Sequence, residues 1–522
     1  MIEVYDTTLR DGCQAEGVTF SVEDKLLIIE ALDQLGIHYI EGGYPGSNPK
    51  DVEFFKQTKA LELQQAEIVP FGSTRYRTNS PSEDPNLLAL LDTGARTVTI
   101  FGKSWSLHAT DVLGVPPEEN LDIIESSVRF LVENGREVIY DAEHFFDGFD
   151  DNPDYALRTL KAAEQGGAQY IVLCDTNGGR LPLEIQEGVR RAMAVLEGPI
   201  GIHTHNDAGM GVANAVLAVQ AGATHVQGTF NSYGERCGNA NLSSIIPTLK
   251  LKLGLDCIGE NQLKRLTETS RLISELANLP HDERQPYVGK SAFAHKGGMH
   301  IDAVRKNQRT FEHIDPEFVG NEQRVLVSDQ AGRSAIVKKI ERAYPDYDRN
   351  SPEVMALFNR LKTAESEGYQ YEAAEASFEL LTHKVFNGYE SFFDLLGFRV
   401  IIEKFTDHTM HAEATIKVME PNGAIEHTAA DGDGPVNALD NALRKALERF
   451  YPSLRDVYLT DYKVRVLDTQ TGTAAKVRVL IEASDGQEHW GTVGVSENII
   501  EASWEALTDS LEYKLYKDHQ KT

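Results

Sequence analysis

The stretch GIHTHND places His203 and His205 two residues apart at the end of a short apolar run, followed at once by Asn206-Asp207. Side chains at i and i+2 of a strand point to one face, so a single metal ion can meet both imidazoles. Other polar clusters also follow apolar runs: Asp6, Arg10 and Asp11 in YDTTLRDG, Glu143 in YDAEHF, and Asp175 and Thr176 in LCDTNGG. A further one, YGERCGNANL, carries Glu235, Arg236, Gly238, Asn239 and Asn241. Two imidazoles, a carboxylate and an amide oxygen make a mixed N/O site suited to six-coordinate Mg2+ or Mn2+, and also open to Zn2+. An open coordination edge there would chelate a 2-oxo acid. The metal would act as a Lewis acid on its ketone, with Arg10 stabilising the developing alkoxide.

Each piece has a plainer reading. Arg10-Asp11 can be a turn with a local ion pair, Asn239 and Asn241 can fix a loop, and Glu143 can pair with a nearby cation. Their common position after predicted strands argues for one site.

The elements that must position these groups alternate. Predicted strands cover Ile2–Asp6, His38–Gly43, Glu67–Gly72, Arg96–Phe101, Glu137–Glu143, Gln169–Asp175, Pro199–His205 and Thr224–Phe230. Amphipathic stretches lie between them, including Ser21–Gly36 with a Ser-x-x-Asp start, Pro116–Asn134, Pro153–Gly166 and Leu183–Leu196. Eight strands with helical crossovers predict an α/β fold of the (β/α)8 TIM-barrel type, in which catalytic groups gather at the C-terminal strand ends. The glycines of AGMGVAN only half match a dinucleotide fingerprint, which weakens a Rossmann alternative.

From about Leu253 to Leu396 the alternation stops, and helical patterns cover Glu260–Leu279, Pro352–Lys362 and Tyr369–Leu381. The rest repeats itself. Phe398-Arg399-Val400 matches Tyr462-Lys463-Val464, Thr428 matches Thr492, and Ala438, Ala442, Leu443 and Leu447 match Ala502, Ala506, Leu507 and Leu511, all about 64 residues apart. Each copy reads βββα, with helices near Val436–Phe450 and Asn498–Tyr516, and the pair implies a pseudo-symmetric α+β domain with a cleft. The expected division is a catalytic barrel over 1–260, a mostly helical linker over 261–395 and a duplicated regulatory domain over 396–522.

A chain of 522 residues with a net charge of −29 disfavours nucleic-acid or anionic-membrane partners. No apolar run is long enough to span a bilayer, and MIEVYDTTLRDG enters a strand pattern directly, so the expected location is cytoplasmic. Cys13, Cys174, Cys237 and Cys257 are scattered and fit neither a disulfide framework nor a thiolate zinc site.

DTTLRDG, HTHND and GERCGNAN together resemble the metal-dependent acyl-CoA condensing enzymes and lyases, the family of 2-isopropylmalate, homocitrate and citramalate synthases and hydroxymethylglutaryl-CoA lyase. The resemblance covers nearly the whole chain. The C-terminal duplication is similar to the allosteric domain of the synthases, which the lyase lacks. IFGKSWSLHATDVLG and IDPEFVGNEQRVLVSDQAGRSAI are most similar to the citramalate-forming group. The resemblance implies Asp11, His203, His205 and Asn239 as metal ligands, Arg10 at the keto oxygen, Thr176 at the oxo-acid carboxylate and Glu143 as a catalytic or substrate-orienting carboxylate.

It also implies an acid–base role for His300 in AHKGGMHIDAV, a position that neighbouring His295 fits less well, and a homodimer in which His300 reaches the partner's barrel. Phe311 departs from the family pattern, where a tyrosine is expected. Acetyl-CoA and pyruvate are the implied substrates and isoleucine the implied effector. The nearest rival is the same chemistry on 2-oxoisovalerate. More distant rivals are a barrel metallohydrolase, whose H-x-H would sit after strand one, and a non-catalytic ligand sensor.

Overall fold

Strand after strand in the first half is buried on both faces, as parallel strands sheathed by helices must be. A computed structural model describes residues 1–325, 333–340, 343–348, 350–386, 391–405, 410–467 and 475–520. It forms a closed eight-stranded parallel barrel of β1 (Glu3–Asp6), β2 (Tyr39–Gly43), β3 (Glu67–Ser73), β4 (Thr97–Lys103), β5 (Glu137–Glu143), β6 (Tyr170–Asp175), β7 (Ile200–Thr204) and β8 (His225–Gly228). Closure is by β1 against β8, with Glu3 opposite His225 and Asp6 opposite Gly228.

The predicted crossover helices are present. Ser21 and Asp24 make the reciprocal cap of helix Val22–Leu35, the Ser21 hydroxyl accepting from Asp24 N–H at 3.1 Å and the Asp24 carboxylate from Ser21 N–H at 2.8 Å. Gly36 ends that helix at φ 94°, a left-handed conformation that suits glycine. The AGMGVAN segment leads into an ordinary crossover helix, Gly211–Ala221.

β7 and β8 stop one and two residues short of the predicted ends, at Thr204 and Gly228. The chain turns over the barrel mouth there, and His205 makes an isolated bridge with Asn239. The predicted helix over Glu260–Leu279 is broken into Glu260–Leu263 and Leu266–Leu276. The one predicted from Tyr369 begins only at Glu375, because buried Tyr371 sits in a 3-10 turn entered from extended backbone at Gln370 and left through non-helical backbone at Ala374.

The chain divides into two compact units, Met1–Phe293 with His313–Gln323, and Ala294–Glu312 with Arg324–Thr522. Residues 326–332, in the middle of the IDPEFVGNEQRVLVSDQAGRSAI segment, lie outside the described residues.

In the second unit the duplication is explicit. One antiparallel sheet joins Asp394–Lys404, Met410–Met419 and Ile425–Gly432 and is followed by helix Pro435–Leu447. The other joins Tyr458–Val466, Val477–Ser484 and His489–Ser496 and is followed by helix Ile499–Gln520. A register shift falls between Leu395 and Gly397 in the first copy and between Leu459 and Asp461 in the second, the same place in the repeat. The repeated apolar residues Ala438, Ala442, Leu443 and Leu447, and Ala502, Ala506, Leu507 and Leu511, all lie in one shared core. Among the described residues no helix is long and apolar enough to cross a membrane.

Candidate active site

Alternation along the barrel strands decides which residues face the lumen. Tyr5, Tyr39, Val69, Ile139, Val172 and Cys174 fill its middle as one buried cluster. The next inward positions toward the C-terminal end are Glu41, Phe71, Asp141, Thr176 and His203, so the period of two delivers polar groups to the mouth.

After β1 the chain folds back at once. Asp6 caps the turn, accepting from Thr8 N–H at 3.0 Å and from the Thr8 hydroxyl at 2.7 Å, and Asp11 N–H donates to the Thr7 carbonyl at 2.9 Å. The Thr8 hydroxyl accepts in turn from Phe230 N–H at 2.9 Å, tying the first loop to the last. This turn sets Arg10 and Asp11 over the mouth.

Asp11, His203 and His205 offer ligand atoms that all lie within 4.8 Å of one another, and all three residues are buried. The two Nε2 atoms are 3.3 Å apart, and Asp11 Oδ2 lies 3.4 Å from His203 Nε2 and 3.9 Å from His205 Nε2. Burial alone would raise the Asp11 carboxyl, but Arg10 and the imidazoles hold it well below the usual range. Burial, and then the neighbouring His203, push His205 down to about 4, which keeps it neutral and able to ligate.

Asn239 closes the group, its Nδ2 lying 2.9 Å from Asp11 Oδ2 and 3.1 Å from His203 Nε2. Its Oδ1 is buried with no hydrogen-bond partner among the described residues. Rotation of the amide exchanges the two ends and turns that oxygen to the cluster, so the donor set fits a hard divalent ion with N/O ligands.

Arg10 is fixed from three sides. Its Nε donates to the fully buried Glu41, its Nη1 lies 3.5 Å from Asp11 Oδ1, and its guanidinium carbon sits 3.8 Å from the centre of the Phe71 ring. Glu41 also accepts from Tyr5 Oη at 2.7 Å and Thr7 Oγ1 at 2.6 Å. Despite burial, which disfavours charge, Asp11 and Glu41 raise the Arg10 pKa above its ordinary value.

Glu143 pairs with Lys103. The Thr176 hydroxyl oxygen accepts from His144 N–H at 2.9 Å, which leaves its own proton free for another acceptor. Arg10, Asp11, Glu143, Thr176, His203 and His205 share the wall of a cavity of about 300 Å³ with the stacked rings of Phe71 and Phe101, whose centroids are 5.4 Å apart.

Of the residues singled out from sequence, His300 is not in this group. It belongs to the second unit, where its ring stacks on Phe311 at 4.0 Å, while neighbouring His295 pairs with Glu312 at 2.8 Å. Asn241 caps helix Leu242–Pro247, accepting from Ser243 N–H at 2.9 Å. Arg236 grips Asp207 at 2.8 and 3.0 Å and the Thr176 carbonyl at 2.8 Å, joining the loops after β6, β7 and β8.

Sequence reasoning missed Glu41, Asp141, Gln227, Lys103 and the Phe71–Phe101 wall. The one available signal was a lone acid or amide inside an apolar strand run, as in YIEGG and HVQG.

Fold and site define a class: a (β/α)8 barrel with a His/His/carboxylate group able to hold a divalent metal at its catalytic mouth. The chain belongs to the HMGL-like family, whose model matches residues 1–273. The homocitrate synthase post-HMGL domain-like model matches residues 287–368, and the LeuA allosteric (dimerisation) domain model matches residues 372–515. Over 521 residues it is 54% identical to the (R)-citramalate synthase of Geobacter sulfurreducens, covering 100% of this chain and 98% of that one. It is 53% identical to the (R)-citramalate synthase of Aquifex aeolicus, covering 99% and 98%. The probable 2-isopropylmalate synthase of Methanopyrus kandleri is 30% identical, covering 97% of each chain.

Proposed function

We propose that this chain is an acyltransferase that condenses acetyl-CoA with pyruvate and hydrolyses the thioester to (R)-citramalate and CoA. The reading is carried by the convergence of Arg10, Glu143 and Thr176 with the Asp11–His203–His205 group on one small cavity. Full-length likeness to relatives named (R)-citramalate synthase supports it.

Asp11, His203, His205 and Asn239 would hold Mg2+ or Mn2+, which when bound supplies Lewis acidity toward an oxo-acid ketone. The residues do the rest. The free hydroxyl proton of Thr176 donates to the pyruvate carboxylate. Arg10, pinned by Glu41, meets the keto oxygen as it gains charge, so little reorganisation is needed in the transition state. Removal of a methyl proton from acetyl-CoA makes the nucleophile, a new C–C bond forms at the keto carbon, and the oxygen there ends as a hydroxyl. Water then cleaves the thioester, releasing a carboxylate and the CoA thiol.

Glu143 orients the reacting groups and His300 serves in proton transfer. The second cavity at the mouth, about 630 Å³ and sharing Phe101 with the first, is assigned to the CoA arm. Residues 1–260 are the catalytic part, 261–395 the linker and 396–522 the regulatory part, which binds isoleucine and joins two chains in a cytoplasmic homodimer. With saturating Mn2+, Asp11→Ala and His203→Ala are expected to lose nearly all turnover. Wild-type rates in either would overturn the assignment.

A further inference from the structure

We infer that Asp141 and Gln227 form an orientation lock that fixes the proton of His203 on Nδ1 and so leaves Nε2 free to ligate. The inference rests on the metal-site reading above and adds to it the groups that make one of its ligands competent.

The chain of contacts is short and buried, and its two outer members, Asp141 and His203, reach the wall of the cavity. Gln227 on β8 stands opposite His203 on β7, and its Oε1 lies 2.8 Å from His203 Nδ1. From β5, Asp141 Oδ1 accepts from Gln227 Nε2 at 3.0 Å. Gln227 is fully buried, Asp141 is 4% exposed and His203 is 5% exposed.

An amide can present either end to an imidazole, and either end satisfies it. If Nε2 of Gln227 faced the ring, His203 would have to accept on Nδ1 and carry its proton on Nε2. That nitrogen points at Asp11 and His205, and a protonated Nε2 cannot ligate. A carboxylate accepts hydrogen bonds and cannot donate them, so ionised Asp141 takes the NH2 end of Gln227 for itself. The carbonyl end must then face His203, and Nδ1 must be the donor. Asp141 is thus a positioning residue two contacts removed from the ligand atom.

The lock has a specific signature, because what matters is the direction of the hydrogen bonds and not which residue carries the charge. In Asp141→Asn the new amide can donate or accept, so Gln227 is free to turn. In the double variant Asp141→Asn/Gln227→Glu, the amide introduced on β5 donates to the carboxylate introduced on β8. The other oxygen of that carboxylate accepts from His203 Nδ1, and the direction is restored.

The test is Mn2+ affinity of the intact metal-stripped chain, read as free Mn2+ by electron paramagnetic resonance. It is done at pH 8, above the value of about 7 to which burial pushes Asp141. Asp141→Asn should bind Mn2+ about 10–100-fold more weakly, the range for losing a partner of a ligating histidine. The double variant should return to within about threefold of the unsubstituted chain.

Unchanged affinity in Asp141→Asn, or a double variant as weak as the single, overturns the lock. If Asp141→Asn does not fold, Gln227→Met takes its place with the same expected loss, and retained affinity again overturns it. Asp11→Ala runs alongside: if it binds Mn2+ normally the metal-site reading itself fails, whereas its loss with no effect at Asp141 removes only the lock.

Discussion

At the scale of single residues, the site is held from behind by side chains buried beneath the cavity wall. Glu41 is the clearest case: fully buried, it accepts from Arg10, Tyr5 and Thr7 and stops the guanidinium swinging away from the mouth. Glu41→Gln is expected to lower kcat by about 10²–10³, the loss typical of a misplaced oxyanion donor, with a smaller change in KM. A rise in KM with kcat unchanged would show that Glu41 serves binding only.

The aromatic wall makes a second claim. Phe101 closes the cavity beside stacked Phe71, so Phe101→Leu should shift the kcat/KM ratio of 2-oxoisovalerate to pyruvate upward by about 10–200-fold, the worth of a methylene or so of pocket space. An unchanged ratio would place the substrate's methyl group elsewhere.

At the scale of elements, the loop after β8 and the base of the barrel carry distinct consequences. Gly234 has φ 153°, and a Cβ added there would come within 1.9 Å of Asn239 Oδ1. Gly234→Ala should therefore displace Asn239 and weaken metal binding about tenfold or more, measurable by Mn2+ titration with the fold intact.

At the opposite end of β8, His225 is fully buried among Tyr5, Tyr39 and Tyr170, with ring centroids 5.4, 5.7 and 4.8 Å away. Burial pushes it down to about 3. The unfolded chain binds that proton below about pH 6.5 and the folded chain does not, so the contribution to stability is complete above pH 6.5 and is lost as pH falls toward 3. His225→Phe should remove up to about 1.4 kcal/mol per pH unit of acid sensitivity between pH 6 and 4. A melting curve with the same pH slope as the unsubstituted chain would contradict this.

How much of this was legible in the sequence follows from the elements too. Strand runs and the caps that start helices are local, so all eight barrel strands and the Ser21 cap could be read directly. His203 and His205 announce themselves by spacing. Asp141 and Gln227 do not, because they sit 86 residues apart and meet only when the barrel closes. Glu41 is a lone acid in YIEGG, and no spacing rule links it to Arg10, 31 residues away. The helix misread at Tyr369 failed for a related reason: burial of Tyr371 overrode a locally helical composition.

At the scale of the whole molecule, a barrel that carries the chemistry is followed by a duplicated βββα unit matching an allosteric and dimerisation domain. On the proposed function, thioester hydrolysis makes the reaction effectively irreversible, and isoleucine is expected to lower turnover several-fold in the intact chain. Equal rates with and without isoleucine would contradict that assignment.

The condensation itself can be followed as free thiol release from acetyl-CoA by the metal-stripped and the Mn2+-restored chain. Mn2+-dependent release with pyruvate is expected, at least about tenfold in kcat/KM over 2-oxoisovalerate, with (R)-citramalate as the product. Release that favours 2-oxoisovalerate, or none with either acid, would contradict the proposed function.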